Sequence, residues 1–341
     1  MNHPALVRAI AITALALCLC VVVLGAYVRL SNAGLGCPDW PGCYGHLTPA
    51  GAAADAHTGA APLAVRALNV GKAWREMVHR YAAGTLAMLI VGLAVTTVTW
   101  RRERILASGY AWALAAVVIL QAVLGALTVT QQLRPLIVTS HLLFGFTTLS
   151  LLWWLVLTLW WHGRQDAAAA GIAGPGPEAA WLRIARAAAL ASLCILGIQI
   201  ALGGWTSSNY AAIACPDLPT CQGSWWPKAD FRSAYVLWRE PNVDYEGGVL
   251  ANPARVAIHL THRMGAIGVA LALLMAAMLA YRVGAGRARM AASWLLAALG
   301  LQLAIGITMV WRGFPLWIAT AHNAGAALLL LATLSLYKSL R

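Results

Sequence analysis

The sequence predicts an all-α polytopic membrane protein whose eight transmembrane helices form two pseudosymmetric four-helix bundles. Three observations carry that expectation: an apolar composition, eight long hydrophobic runs and an internal repeat. Of the 341 residues, 61% are hydrophobic and only 10% charged, against about 25% charged in an ordinary soluble domain. This balance excludes a disordered chain, a secreted disulfide miniprotein and most soluble enzymes. The formal charge of +13 is no sign of nucleic acid, because the Arg residues punctuate apolar segments and form no patch interleaved with exposed aromatics. The 16 Trp suit a bilayer, where Trp gathers at both interfaces. Membrane lipid is therefore the first partner expected.

A spanning helix needs about 20 apolar residues. Candidates fall at about 9–30, 78–100, 108–130, 136–161, 185–206, 256–281, 290–312 and 315–337. The first is longer than a signal-peptide core and further spans follow it, so it is expected to stay in the mature chain. The Ala/Gly/Pro-rich stretch from Ala167 to Pro177 reads as a linker. It divides the chain into an N-terminal bundle over 1–166, a cytoplasmic linker over 167–180 and a C-terminal bundle over 181–341. With the N-terminus inside, the inner segments hold 12 of the 24 Lys and Arg. They do so in much less chain, at roughly double the density, which favours cytoplasmic termini. The long loops at about 31–77 and 207–255 then lie outside, periplasmic in a protein of the bacterial plasma (inner) membrane.

The repeat is specific. Cys37-Pro38-Asp39-Trp40-Pro41-Gly42-Cys43 recurs as Cys215-Pro216-Asp217-Leu218-Pro219-Thr220-Cys221, 178 residues later. His79-Arg80 recurs as His262-Arg263 at 183, and Thr139-Ser140-His141 as Thr320-Ala321-His322 at 181. Leu120-Gln121 with Gly125 recurs as Leu301-Gln302 with Gly306, also at 181. Four landmarks in one order at nearly one spacing make two homologous halves.

Each cysteine pair sits in an outer loop with two prolines, on the oxidising side where disulfides persist. The expectation is Cys37–Cys43 and Cys215–Cys221 bridges, either as structural staples or as redox-active pairs. Zinc is least favoured, since no His or second Cys pair stands at ligand spacing. Cys18, Cys20 and Cys194 fall within spans and read as small apolar fillers. His3, His46, His57 and His162 lie in loops or tails and read as exposed and silent.

The remaining histidines carry the strongest signal, because an ionisable residue inside a bilayer is costly and points to function. His79 lies near the start of its predicted span and His141 about five residues into its own, which sets both within about 8 Å of the outer interface. His262 and His322 repeat the arrangement. Two imidazoles at equal depth on neighbouring helices are what a bis-histidine haem iron requires. The residues at i+4, on the same helix face, are Ala83, Gly145, Ala266 and Ala326; all are small and leave room for a macrocycle. A proton relay would use the same histidines, and close helix packing would account for the small residues.

Arg80 and Arg263 follow histidines directly, while Arg29, Arg134 and Arg312 end spans on the same side. All five are candidate partners for haem propionates, because guanidinium forks pair well with carboxylates; snorkelling to the interface is the alternative. The repeat breaks at Glu76, at i−3 from His79, whose counterpart is His259. A carboxylate there could serve as a base or stabilise a developing cation, or simply interact with a helix N-terminus.

The run Gly25-Ala26-Tyr27-Val28-Arg29-Leu30-Ser31-Asn32-Ala33-Gly34-Leu35-Gly36-Cys37-Pro38-Asp39-Trp40-Pro41, followed by Glu76-Met77-Val78-His79-Arg80-Tyr81, closely resembles the haem A synthases. With His262-Arg263 and His322 the resemblance covers nearly the whole chain. It implies an enzyme that oxidises the C8 methyl of haem O to the formyl of haem A by successive hydroxylations, for terminal oxidases. It further implies haem b on His262 and His322, the substrate haem at His79 and His141, and a functional carboxylate at Glu76. Cys37 and Cys43 match the family's first cysteine pair; some relatives lack the second. Two other classes use the same features: a dihaem b-type membrane electron carrier, which would not need Glu76, and a quinone-linked thiol oxidoreductase, which would not need haem. The haem O-producing enzyme, an unidentified electron partner and a second copy of the chain complete the candidate partners; nucleic acid is not among them.

Overall fold

The computed structural model describes residues 3–58, 67–99, 108–161, 177–241, 243–283 and 286–341. Helices α1 (His3–Leu30), α3 (Val70–Thr99), α4 (Ser108–Thr130), α5 (Pro135–Trp161), α6 (Pro177–Ser208), α8 (Asn252–Val283), α9 (Arg287–Trp311) and α10 (Leu316–Ser339) contain the eight segments long and apolar enough to cross a membrane. Two short helices, α2 (Pro49–Thr58) and α7 (Phe231–Ala234), lie in the connecting loops. No strand occurs among the described residues. Arg101, Arg102, Arg104, Arg164, His162 and linker residues 167–176 fall outside them.

Four helices begin well before their apolar runs: α1 at His3, α3 at Val70, α6 at Pro177 and α8 at Asn252. Hydropathy marks the part in lipid, but a helix continues while its end groups find partners. The Asn69 side chain accepts the Lys72 N–H at 3.0 Å, and the Lys72 ammonium reaches Glu246 at 3.2 Å. Pro177 suits a first helical position, with Glu178 in the first turn. Residues 177–180 are therefore helix, not linker.

In the first half α3 packs between α1 and α4, and α5 closes the ring on the same two helices. In the second half α8 packs between α6 and α9, and α10 closes the ring on those two. The halves meet through α1 and α5 against α6 and α10. Buried side chains of both, such as Leu114, Leu149, Leu273 and Leu295, share one core cluster. The opposite faces stay apolar and exposed, as at Met88, Ile119, Ile198 and Leu271, so the helices are hydrophobic all round, as lipid requires.

Backbone details recur with the repeat. Left-handed residues occur in matched places: Asn32 (φ 51°) and Tyr210 (53°), Tyr44 (53°) and Gln222 (55°), Leu133 (60°) and Phe314 (61°). Counterpart positions also touch one another between the halves. Tyr210 Oη donates to Asn32 Oδ1 at 2.9 Å, and Arg29 donates to the Ser207 carbonyl at 2.8 Å. Such contacts between equivalent positions agree with the two pseudosymmetric bundles that the sequence predicts.

Both cysteine pairs are bridged, Cys37–Cys43 and Cys215–Cys221, with Cα–Cα separations of 4.7 and 4.6 Å. Each second cysteine opens a two-residue hairpin whose central residues, Tyr44-Gly45 and Gln222-Gly223, have positive φ. The Asp of each motif holds that turn. Asp39 accepts the N–H groups of Tyr44 and Gly45 at 2.6 and 2.9 Å, and Asp217 those of Gln222 and Gly223 at 2.6 and 2.9 Å. The Thr220 hydroxyl, then these N–H groups, pull the partly exposed Asp217 carboxyl down to about 2. A depressed carboxylate supports the fold fully above its ordinary value near 3.8 and loses that support only as pH falls through about 2. Alkylation without reductant, read by mass spectrometry, should leave all four loop cysteines unmodified. With the protein denatured before alkylation, the free Cys18, Cys20 and Cys194 serve as the reactive controls. Alkylated loop thiols would refute the bridges.

Candidate functional site

A cavity of about 2160 Å³ runs through both bundles, against roughly 300–1,000 Å³ for a single small-molecule site. His79, His141, His262 and His322 all line it, as do the small residues one turn on, Ala83, Gly145, Ala266 and Ala326. His79 and His141 are close enough to interact electrostatically, and so are His262 and His322. They do not stand on neighbouring helices, as the sequence suggested. α3 and α5 face one another across the ring, as do α8 and α10. Nor does position from the helix start set their depth, since His79 comes nine residues after Val70 but His141 six after Pro135; tertiary packing brings them level.

The intervening helices supply a glycine opposite each imidazole. A Cβ on Gly25 of α1 would come 2.9 Å from the His79 ring, and one on Gly125 of α4 3.4 Å from that of His141. A Cβ on Gly203 of α6 would lie 3.2 Å from the His262 ring, and one on Gly306 of α9 3.0 Å from that of His322. The Nδ1 atoms of His79, His141 and His322 are buried with no hydrogen-bond partner. Unpartnered buried nitrogens are expensive and call for an explanation. Paired imidazoles in a slot kept open by glycines fit a bis-histidine haem in each half.

The disulfide loops roof this cavity, which Trp40, Pro41, Leu218 and Pro219 line. The Arg after each first histidine ties the roof to the helix. Arg80 donates to the Asp39 and Gly42 carbonyls at 2.9 and 2.5 Å. Arg263 donates to those of Cys215, Asp217 and Thr220 at 3.0, 2.7 and 2.8 Å. Both guanidinium groups thus serve the loop framework. Arg29 lines the cavity and stacks 4.2 Å over Tyr210. Arg134 is buried, stacked 4.6 Å over Trp238, and Arg312 is exposed at the end of α9; neither is a lining residue.

Glu76 is buried and lines the cavity. Its Oε1 accepts from Arg80 at 2.6 Å and its Oε2 from the Cys37 N–H at 2.9 Å. His259 takes the equivalent place, accepting from Arg263 at 3.2 Å. His46, read as silent, pairs with Asp55 at 2.8 Å. His3 and His57 belong to α1 and α2 rather than to loops.

The order of these elements matches a family model for the cytochrome oxidase assembly proteins COX15-CtaA over residues 8–334. The chain belongs to this family. A protein of Shewanella oneidensis named Heme A synthase is 40% identical over 323 residues, 93% of this chain and 92% of its own length. Proteins of the same name from Methylobacterium sp. (strain 4-46) and Rhizorhabdus wittichii are 29% and 26% identical, each over 92% of this chain and over 86% and 88% of their own.

In this COX15-CtaA member the sequence exposed the histidines but not their glycine partners on α1 and α6; Gly25 and Gly203 stand 178 apart, so the repeat spacing was the available signal. Gly203→Leu should abolish haem retention in the C-terminal half while circular dichroism keeps its helical signal. Gly197→Leu, where an added Cβ meets nothing within 4 Å, should retain the pigment. Equal haem content in both variants would show that the glycine slot does not hold haem.

Proposed function

We propose that the protein is a haem A synthase, a membrane oxidoreductase that converts the C8 methyl of haem O to the formyl of haem A. The observation that carries this reading is the pair of matched histidine slots in one cavity, only one of which has a carboxylate beside it. The methyl passes through two hydroxylations and loss of water. When bound, haem supplies the redox chemistry, and the protein supplies position and charge. We assign haem b to His262 and His322 and substrate haem to His79 and His141. Arg29, at the cavity wall between the halves, is the best-placed propionate partner. Cytoplasmic termini and periplasmic cysteine loops complete the proposed topology.

Replacing His262 or His322 with Ala should remove the low-spin reduced spectrum of the resident haem. A full spectrum in both variants would refute the assignment.

Glu76 is assigned to proton handling or cation stabilisation beside the reacting methyl. Its bonds to Arg80 and Cys37 give it a second task in holding the roof, and two variants separate the tasks. Glu76→Gln keeps an acceptor for the Cys37 N–H but removes the charge; Arg80→Ala keeps the carboxylate and frees the loop. Catalytic carboxylates contribute about 10²–10⁴-fold in rate. In cells supplied with haem O, Glu76→Gln should therefore yield trace haem A with haem b retained, while Arg80→Ala keeps more activity. His259→Ala should have less effect than either. Near-normal haem A from Glu76→Gln, or loss confined to His259→Ala, would mean that the halves are assigned the wrong way round.

A further inference from the structure

The second half contains a device that the first half lacks. Gln199 on α6 is buried, and its Nε2 lies 3.1 Å from His262 Nδ1 and 2.9 Å from the His262 carbonyl. Its amide oxygen is seated against Gly265, where an added Cβ would collide with it, and has no hydrogen-bond partner. The repeat counterpart of Gln199, 178 residues earlier, is Val21. The counterpart of the seat changes too, because the residue at i+3 is Gly265 after His262 but Ala82 after His79. Amide and seat are thus present together in one half and absent together from the other. Gln302 approaches His322 differently, 3.3 Å from Nε2, the nitrogen that iron would take.

We propose that Gln199 is a positioning residue that makes the C-terminal half a retaining site, holding His262 by Nδ1 and leaving Nε2 to the iron. The inference rests on the assignment of resident haem to His262 and His322. An imidazole that ligates through Nε2 carries its proton on Nδ1, and that N–H needs an acceptor. Amide oxygen and nitrogen exchange places by a half-turn about the last torsion; the turn brings the now unpartnered Oε1 to Nδ1–H and gives up the Nε2 bond to the His262 carbonyl. Such a bond fixes the ring and raises the basicity of the ligating nitrogen, which favours ferric iron. In the first half Val21 brings no side-chain amide to His79, which suits a haem that must enter and leave.

The test uses the full-length purified protein with its resident haem. Haem transfer to excess apomyoglobin and the midpoint potential are measured in Gln199→Val, Gln199→Glu and Gly265→Ala, with His262→Ala as reference. Gln199→Val should keep a low-spin spectrum but lose haem affinity by about 10–100-fold, as loss of such a partner typically does, and its potential should rise. Gly265→Ala displaces the amide without altering it and should do the same, so the proposal stays testable if Gln199→Val fails to accumulate. Gln199→Glu, a stronger acceptor, should restore retention and lower the potential. Wild-type transfer and potential in Gln199→Val, with haem lost from His262→Ala, overturn this proposal alone. An unchanged haem spectrum in His262→Ala overturns the haem assignment beneath it.

Discussion

An imidazole buried in a membrane helix needs a partner, because lipid offers its ring nitrogens none. Four such rings, on helices that face one another across two rings of four helices, set the terms for the rest of the architecture. The helices between them must come close without filling the gap, and a glycine opposite each ring meets that demand. The small residues one turn on widen the same slot. Bulk is therefore excluded on two sides of each histidine, while the outer helix faces stay apolar toward lipid.

The roof follows from the same helices. α3 and α8 run past their apolar segments, and the Arg beside each first histidine binds carbonyls of a disulfide loop. The loop is thereby fixed to the element that presents the imidazole. The disulfide and the Asp-held turn make the loop stiff enough for its carbonyls to act as a preformed acceptor set. This gives the cysteine pairs a structural task that needs no redox change.

The two halves then diverge at a few positions around a shared frame. The first half has Glu76 at the roof and Val21 beside its histidine slot; the second has His259 and Gln199. Under the proposed assignment, a charge in one half and an amide beside the histidine in the other are the differences that would separate a site that transforms a haem from one that keeps it. Repetition supplies the shared geometry.

Span number, the repeat, the cysteine pairs and the four histidines were legible in the sequence, because hydropathy and fixed spacing are local properties of the chain. The repeat also singled out Glu76 as the place where the halves differ. Helix starts were not legible at Val70 or Pro177, since polar helix ends are held by end-group contacts such as Lys72 with Glu246. That Arg80 and Arg263 hold loop carbonyls, and that Glu76 bonds both Arg80 and the Cys37 N–H, was likewise beyond reach. Those partners stand tens of residues away, apart from the Arg80–Glu76 pair one turn apart. Local pattern determined which side chains enter the membrane; only the tertiary structure decided what each one faces, because facing depends on how helices distant in sequence pack.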